Sequence, residues 1–193
     1  MKKIIIGISG ASGVIYGIRL LDVLRGVADV ETHLVMTPSA VITIGLETDY
    51  TAEQVNALAD VVYSHKNIAA KISSGSFKTD GMIVAPCSMK TLAGITLSFS
   101  DNLLLRAADV VLKDRRPLLL LPRETPLHLG HLRLMVQATE MGAIIAPPMP
   151  AFYHRPETLD DVVNQTVNRV LDMVDIELPT DLFERWHGGK ANG

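Results

Sequence analysis

The chain has 193 residues, 48% of them hydrophobic and 20% charged, with a formal net charge of −3. This composition excludes an intrinsically disordered protein, and the small acidic excess excludes a globally basic surface for nucleic acid. The single cysteine, Cys87, excludes an internal disulfide framework and fits a reducing compartment, so we expect a cytoplasmic protein. The length favours one domain over residues 1–193, and no apolar stretch approaches the roughly 20 residues of a membrane span.

In chain order, the first half of the sequence alternates apolar strand patterns with helical patterns. The predicted elements are a strand at 4–8, a helix at 14–25, a strand at 30–36, and helices at 38–46 and 51–59. Thr37 and Pro38 mark the second helix, because they form an N-cap followed by proline at the first helical position. Residues 63–79 are polar and serine-rich, which predicts a loop with short fragments of structure.

The second half continues the alternation up to a last long helix. The predicted elements are a strand at 82–85, helices at 89–97 and 102–113, a strand at 118–121, a helix at 125–142, a strand at 143–146 and a helix at 158–174. Thr125 and Pro126 repeat the cap-then-proline signature at the start of the third of these helices. Strand and helix alternate at least four times, which predicts an α/β protein, a three-layer αβα domain with a parallel sheet.

Ligands of open parallel sheets bind beyond the carboxyl ends of the strands, and the first such end is rich in small residues. The turn over residues 7–13 lets backbone N–H groups approach a phosphate at a helix N-terminus. It is not the dinucleotide pattern, because Ser9 replaces the second glycine, and it lacks the lysine of a Walker loop. A tight turn without a ligand remains the alternative.

Three further strand ends carry chemically distinctive residues. They are residues 86–91 with hydroxyls and a lysine, residues 122–126 with an arginine–glutamate pair, and the proline-rich, aromatic residues 147–156. Each segment also has an interpretation without a ligand. In that interpretation Cys87 packs in the core, Arg123 and Glu124 form an ion pair, and the last segment is a plain connection. The first of the three suits a phosphate or the edge of a flavin.

One predicted helix carries two cations on nearly one face. Arg106 and Lys113 are seven residues apart on an otherwise apolar helix, and a buried cation needs an anion such as phosphate. A pair between Arg106 and Asp109, one turn on, is the alternative. His128 and His131 stand three residues apart without supporting carboxylates or cysteines, so we expect no metal site.

The sequence resembles the UbiX/Pad-type flavin prenyltransferase family over essentially the whole chain. The matching segments, in the family's order, are residues 7–13, 46–49, 86–91, 106–110, 112–117, 122–126 and 151–156. The resemblance implies a Rossmann-like or flavodoxin-like flavoprotein that forms a large homo-oligomer, typically a homododecamer, and is inactive as a monomer. It also implies a metal-independent transfer of the dimethylallyl group of dimethylallyl monophosphate to N5 and C6 of reduced FMN, with release of phosphate. The product, prenylated FMN, would serve a partner UbiD-type aromatic acid decarboxylase.

The resemblance further implies which residues form the site. The implied FMN contacts are Gly10, Ala11, Ser12, Thr37, Ser88, Met89, Lys90, Thr91 and Arg123. The implied contacts of dimethylallyl phosphate are Lys113, Tyr153 and Arg169, with Trp186 in a C-terminal tail over about 175–193 that covers the prenyl group. The implied catalytic residues are Ser12, Glu47, Arg106, Lys113 and Glu124. Thr37 departs mildly from the family's usual serine, and Glu124 or the released phosphate is our hypothesis for the acid/base of ring closure.

Other functions remain open at this point. FMN-dependent cysteine-type decarboxylases have a similar fold, but their loops read Pro-Ala-Ser-Ala-Asn-Thr and Pro-x-Met-Asn, unlike residues 86–91 and 148–150 here. A non-catalytic flavin-binding or electron-transfer module needs no second phosphate site, which argues against it. A third alternative is that the chain itself decarboxylates aromatic acids.

Overall fold

The computed structural model describes residues 1–186 and 188, and six of its strands form one sheet in the order β3-β2-β1-β4-β5-β6. The strands are β1 (Lys2–Ile8), β2 (Val30–Met36), β3 (Val61–Tyr63), β4 (Gly81–Cys87), β5 (Leu118–Pro122) and β6 (Ile144–Ile145). All five neighbouring pairs are parallel. The chain moves outward from β1 to β3 and then returns to the other side of β1, so the switch point of the sheet lies between β1 and β4.

Helices cover both faces of this sheet. They are α1 (Ile15–Leu24), α2 (Pro38–Glu47), α3 (Ala52–Asn56), α4 (Met89–Thr96), α5 (Leu103–Lys113), α6 (Leu129–Glu140) and α7 (Leu159–Asp172). Alternate residues of β1 belong to two separate hydrophobic clusters: Ile4 and Ile6 pack with α1 and α7, whereas Ile5 packs with α4 and α5. The predicted three-layer αβα domain with a parallel sheet is therefore confirmed.

One predicted helix start is wrong. Helix α6 begins at Leu129, because His128 is its N-cap and accepts a hydrogen bond from the Gly130 N–H at 3.0 Å. Thr125 and Pro126 lie before the helix and are joined by a cis peptide bond. The same signature is correct at α2, where the Thr37 hydroxyl accepts a hydrogen bond from the Ala40 N–H.

The other predicted elements differ from the structure mainly at their ends. Strand β4 continues through Pro86 to Cys87, and a register shift after Val84 accommodates a residue that cannot donate to the ladder. The helix predicted over 51–59 is confined to α3, and the predicted 63–79 loop contains a 3-10 helix at Lys71–Ser73. The end of the predicted tail, residues 187 and 189–193, lies outside the described residues. Among the described residues, none of the helices has the length and hydropathy to cross a membrane.

Candidate active site

A cavity of about 610 Å³ opens where β1, β2 and β4 end. Its volume lies within the roughly 300–1,000 Å³ of typical small-molecule sites, and its position is at the switch point of the sheet. The residues that line it are Gly10, Thr37, Pro38, Ser39, His65, Lys66, Ser88, Lys90, Thr91, Asp101, Asn102 and Leu105. Five of these, Gly10, Thr37, Ser88, Lys90 and Thr91, are among the predicted cofactor contacts.

The N-termini of α2 and α4 contribute hydroxyls and a lysine to this cavity. Ser88 caps α4, since its Oγ accepts a hydrogen bond from the Thr91 N–H at 3.2 Å and donates one to Thr91 Oγ1 at 3.0 Å. Thr37 caps α2, and Lys90 lies exposed in the first turn of α4. Hydroxyls, helix N-termini and lysine side chains are groups that bind phosphate monoesters in proteins.

A buried serine joins the two loops that frame the cavity. The Ser9 hydroxyl donates a hydrogen bond to the Pro86 carbonyl at 2.9 Å and accepts one from the Ser88 N–H at 2.8 Å. The serine that departs from the dinucleotide pattern is therefore a structural link between β1 and β4. The sequence shows the substitution but does not predict this role.

The glycines of the first loop have separate structural reasons. A Cβ on Gly10 would lie 2.2 Å from the Ser39 Cβ, so only glycine allows this loop to approach α2. Gly13 has a φ of +96°, a conformation that favours glycine. The Gly13 N–H donates a hydrogen bond to the Glu47 carboxylate at 2.8 Å. This contact places Glu47, a predicted catalytic residue, against the loop that carries Ala11 and Ser12.

A second cavity, of about 490 Å³, is lined by Tyr153, Arg169, Phe183, Arg185 and Trp186. The rings of Tyr153 and Trp186 meet edge to face with their centroids 5.9 Å apart. The structure therefore brings together three of the four residues predicted to hold the prenyl phosphate. Phe183 and Arg185 were missed, although both lie in the C-terminal segment whose tryptophan was singled out.

The two cations of α5 lie apart from both cavities. Arg106 donates to Asp109 at 2.7 Å and to the Ser73 carbonyl at 3.2 Å, and Lys113 pairs with Asp114 at 3.0 Å. The alternative of an Arg106–Asp109 pair is thus confirmed. Within the described residues of one chain, neither cation lines the cavity that contains Tyr153 and Arg169.

The remaining predicted residues surround the ends of β4 and β5. The Arg123 N–H donates to the Cys87 carbonyl at 3.3 Å, and the exposed Glu124 carboxylate accepts from the Thr125 N–H at 3.0 Å. Burial raises the pKa of Tyr16, an effect that the Arg123 charge opposes, so the two side chains are near each other. Met89 packs against a hydrophobic cluster rather than lining the first cavity.

The cysteine and the histidine pair show no catalytic features. Cys87 is fully buried, and burial raises the pKa of its thiol to about 12, so the thiol stays neutral and unreactive. The rings of His128 and His131 have centroids 3.6 Å apart and planes tilted by 34°, and His128 uses Nδ1 to cap α6. Within the part of the chain that the structure describes, no group of His, Cys, Asp and Glu residues is arranged to hold a metal ion.

Comparison with known proteins gives a consistent result. A family model described as Flavoprotein matches residues 1–171. The flavin prenyltransferase UbiX of Escherichia coli strain K12 is 67% identical over 188 residues, which cover 97% of this chain and 100% of that protein. The flavin prenyltransferase UbiX of Thauera aromatica is 57% identical, covering 97% of this chain and 95% of its own length.

Solved structures agree with these sequence matches. AnUbiX (PadA1), crystallised in complex with FMN and dimethylallyl pyrophosphate, has a TM-score of 0.94 at 50% identity and covers 98% of this chain and 99% of its own. A dodecameric FMN-dependent UbiX-like decarboxylase from Escherichia coli O157:H7 has a TM-score of 0.92 at 54% identity. The match covers 96% of this chain and 99% of that chain. The peptidyl-cysteine decarboxylase EpiD, at 17% identity and a TM-score of 0.62, shares only the fold.

Proposed function

The chain belongs to the Flavoprotein family and to the UbiX flavin prenyltransferases, and from this membership we propose its reaction and the roles of its residues. The protein is a flavin prenyltransferase that uses FMN. It joins the dimethylallyl group of dimethylallyl monophosphate to N5 and C6 of reduced FMN, and phosphate leaves. The observation that carries the proposal is the pair of separate cavities, each with groups that bind an anion.

The first cavity fits the phosphate end of FMN. Its lining offers hydroxyls, a cation and two helix N-termini, from Thr37, Ser88, Lys90 and Thr91. The Ser39 side chain fills the space where a Cβ on Gly10 would lie, which leaves backbone as the surface of the loop at that point. Reduced FMN, when bound, supplies the electron-rich N5 and C6 that accept the prenyl group. Ala11, Ser12 and Arg123 complete the proposed FMN contacts, and Met89 contributes through its backbone.

The second cavity fits a prenyl phosphate. Arg169 binds the phosphate, and Tyr153, whose hydroxyl accepts a hydrogen bond from Gln165 at 3.2 Å, keeps its own O–H to donate. Stabilising the departing phosphate lowers the barrier to breaking the C–O bond. Tyr153 and Trp186 form an aromatic surface that keeps water from the allylic carbon.

Lys113 and Arg106 act from a neighbouring copy of the chain. Both are paired with carboxylates away from the second cavity within one chain, so a site that uses them needs another subunit. The relative from Escherichia coli O157:H7 is dodecameric, which supports such an arrangement. We expect the isolated monomer to be inactive for this reason.

Carboxylates handle the protons of the reaction. Glu47 is fixed beside Ser12 through its hydrogen bond from Gly13, and Glu124 is exposed at the end of β5. When the ring closes, one alkene carbon of the transferred group bonds C6, the other alkene carbon gains a proton, and C6 loses its own proton to Glu124. Glu124→Gln should therefore still cleave dimethylallyl phosphate but close the ring slowly. Ring closure at the wild-type rate would assign the proton to the released phosphate instead.

The test is phosphate release from dimethylallyl monophosphate under anaerobic conditions. Wild-type protein should release phosphate only with reduced FMN, and Lys113→Ala should be slow, whereas Lys78→Ala, an exposed lysine outside the site, should match wild type. Release without flavin would indicate a phosphatase. No release from either the monophosphate or the diphosphate would leave a flavin-binding module. The prenylated flavin is proposed to serve a UbiD-type decarboxylase in the cytoplasm.

A further inference from the structure

The C-terminal segment over residues 177–186 is attached to helix α7 by a buried polar contact. The Leu182 N–H donates a hydrogen bond of 2.8 Å to Oδ1 of Asn168, which is buried. The Leu182 side chain packs against the hydrophobic cluster on that face of the sheet. This attachment brings Phe183 and Trp186 to Tyr153, at ring-centroid distances of 6.5 and 5.9 Å.

Arg185 connects the same segment to α7 through two carboxylates. Its Nη1 and Nη2 donate to the two oxygens of Asp172, both at 2.9 Å. Its Nε and Nη2 donate to the two oxygens of Asp181, at 2.6 and 2.7 Å. The planar guanidinium thus makes two bidentate pairs, an arrangement that lysine cannot reproduce. The hydrogen bonds from Arg185 lower the pKa of both carboxyls.

Arg169 shares one of these carboxylates but is bound to it more weakly. Among the described residues, its guanidinium makes one side-chain hydrogen bond, from Nη1 to Oδ2 of Asp172 at 3.0 Å, and its side chain is 48% exposed. Arg169 can therefore exchange Asp172 for a phosphate. The net charge of this cluster is zero, because it contains two arginines, Arg169 and Arg185, and two aspartates, Asp172 and Asp181. Loss of Arg185 would leave an excess negative charge where the phosphate has to bind.

We propose that Arg185 is a positioning residue that holds Asp172 when Arg169 turns to the substrate phosphate, and that it fixes Phe183 and Trp186 against Tyr153. This inference rests on the proposed function, because the phosphate is that of the prenyl donor. Asp172 then never becomes an unpaired carboxylate, so Arg169 changes partners at little electrostatic cost. Arg185 itself, held by two carboxylates, does not bind the phosphate.

The first test compares Arg185→Gln with Arg185→Lys in the full-length, FMN-bound protein. We expect the KM for dimethylallyl monophosphate to rise about tenfold or more in Arg185→Gln, with a smaller change in kcat, since a charged hydrogen-bond network is lost. Arg185→Lys should recover part of that loss because it keeps the charge. Arg19→Gln is the matched control, since it breaks a salt bridge of 2.9 Å between α1 and α7 away from the cavity. A KM for Arg185→Gln within twofold of wild type would overturn the proposal.

A second variant separates the charge from the attachment. Asp181→Asn weakens one bidentate pair but leaves Arg185 on Asp172, so the segment loosens while Asp172 stays neutralised. Hydrogen exchange of the peptide over residues 177–186 should speed up in Asp181→Asn, and the KM should stay near the wild-type value. A KM rise as large as in Arg185→Gln would reduce Arg185 to an anchor of the chain and overturn its electrostatic role.

A binding measurement keeps this proposal separate from the proposed function. Trp186 is the only tryptophan of the chain, so its fluorescence reports binding at this cavity directly. Inorganic phosphate should bind more weakly to Arg185→Gln than to wild type, whether or not prenyl transfer occurs. Equal phosphate affinities would contradict the role of Arg185, whereas an inactive wild type that shows the difference would contradict only the reaction.

Discussion

At the scale of single residues, Ser9 shows how one hydroxyl can organise two loops. Ser9→Ala removes the acceptor of the Ser88 N–H and the donor to the Pro86 carbonyl in a buried place. We expect the free energy of unfolding to fall by about 1–3 kcal/mol. Chemical denaturation measures this directly. Thr139→Ala, at an exposed helical hydroxyl, is the control and should change stability by no more than about 0.5 kcal/mol; an equal effect in both variants would refute the link.

Cys87 gives a second test at this scale. Its thiol is fully buried, and burial raises its pKa to about 12, above the ordinary value of 9.0. The thiolate is therefore almost absent at neutral and mildly alkaline pH, and reagents also lack access. A thiol reagent should label the native protein very slowly and the unfolded protein at once. Rapid labelling of the folded protein would contradict the burial of this thiol.

Residues that follow strands could be predicted as site residues, whereas those in irregular loops could not. Thr37 and Ser88 stand directly after buried strands, so the rule for parallel sheets was enough to place them. His65 and Lys66 also line the first cavity, but they lie in the polar segment predicted as a loop and were missed. Arg185 was missed for a related reason, since its two carboxylates lie 4 and 13 residues away along the chain.

At the scale of elements, the contact of helix α1 with the sheet depends on Gly17. A Cβ there would lie 2.3 Å from the Ala85 carbonyl oxygen and 2.8 Å from an Ile8 side-chain carbon. Gly17→Ala should therefore destabilise the protein by about 1–3 kcal/mol, although alanine favours helices. Gly45→Ala in α2, where nothing lies within 4 Å, is the matched control and should stabilise by about 0.5–1 kcal/mol. Thermal unfolding measures both effects: the unfolding temperature should fall in Gly17→Ala and rise in Gly45→Ala. Shifts of the same sign in both variants would contradict the close packing at Gly17.

The two Thr-Pro pairs show the limit of local signals for elements. Thr37 caps α2 as predicted, because its hydroxyl reaches the Ala40 N–H and Pro38 takes the first helical position. The pair at Thr125 precedes α6 without capping it, and His128 does so instead. A Thr-Pro dipeptide indicates only a local preference for a helix start. Where α6 actually begins depends on the course of the chain after β5.

At the scale of the whole molecule, pH acts on the attachment of the C-terminal segment. Hydrogen bonds from Arg185 lower the pKa of Asp172 below its ordinary value of 3.8. The stabilisation is therefore complete above that value and is lost as pH falls through the lowered pKa. Trp186 fluorescence should stay constant from neutrality down to about pH 4 and change below it. A transition well above pH 4 would show that a group other than the carboxylates bound by Arg185 controls the segment.

The sequence predicts the αβα layers of the molecule well, because alternating strands and helices admit few arrangements. It also predicts where the first cavity lies. The periodicity of the sequence does not predict that Lys113 and Arg106 approach Tyr153. In one chain both residues lie on α5, paired with carboxylates and outside the lining of the second cavity. The proposed sharing of the site between copies cannot be derived from one chain's periodicity, and for this part the family resemblance supplies the prediction.

The most direct test of the central claim is the mass of the flavin after reaction. Purified protein is incubated anaerobically with reduced FMN and dimethylallyl monophosphate, and the flavin is extracted for mass spectrometry. We predict a mass increase of one C5 prenyl unit with wild-type protein, and no such increase within the same reaction time with the slow variant Lys113→Ala. Unmodified flavin from the wild type, with the diphosphate ester also tested, would contradict flavin prenyl transfer by this chain.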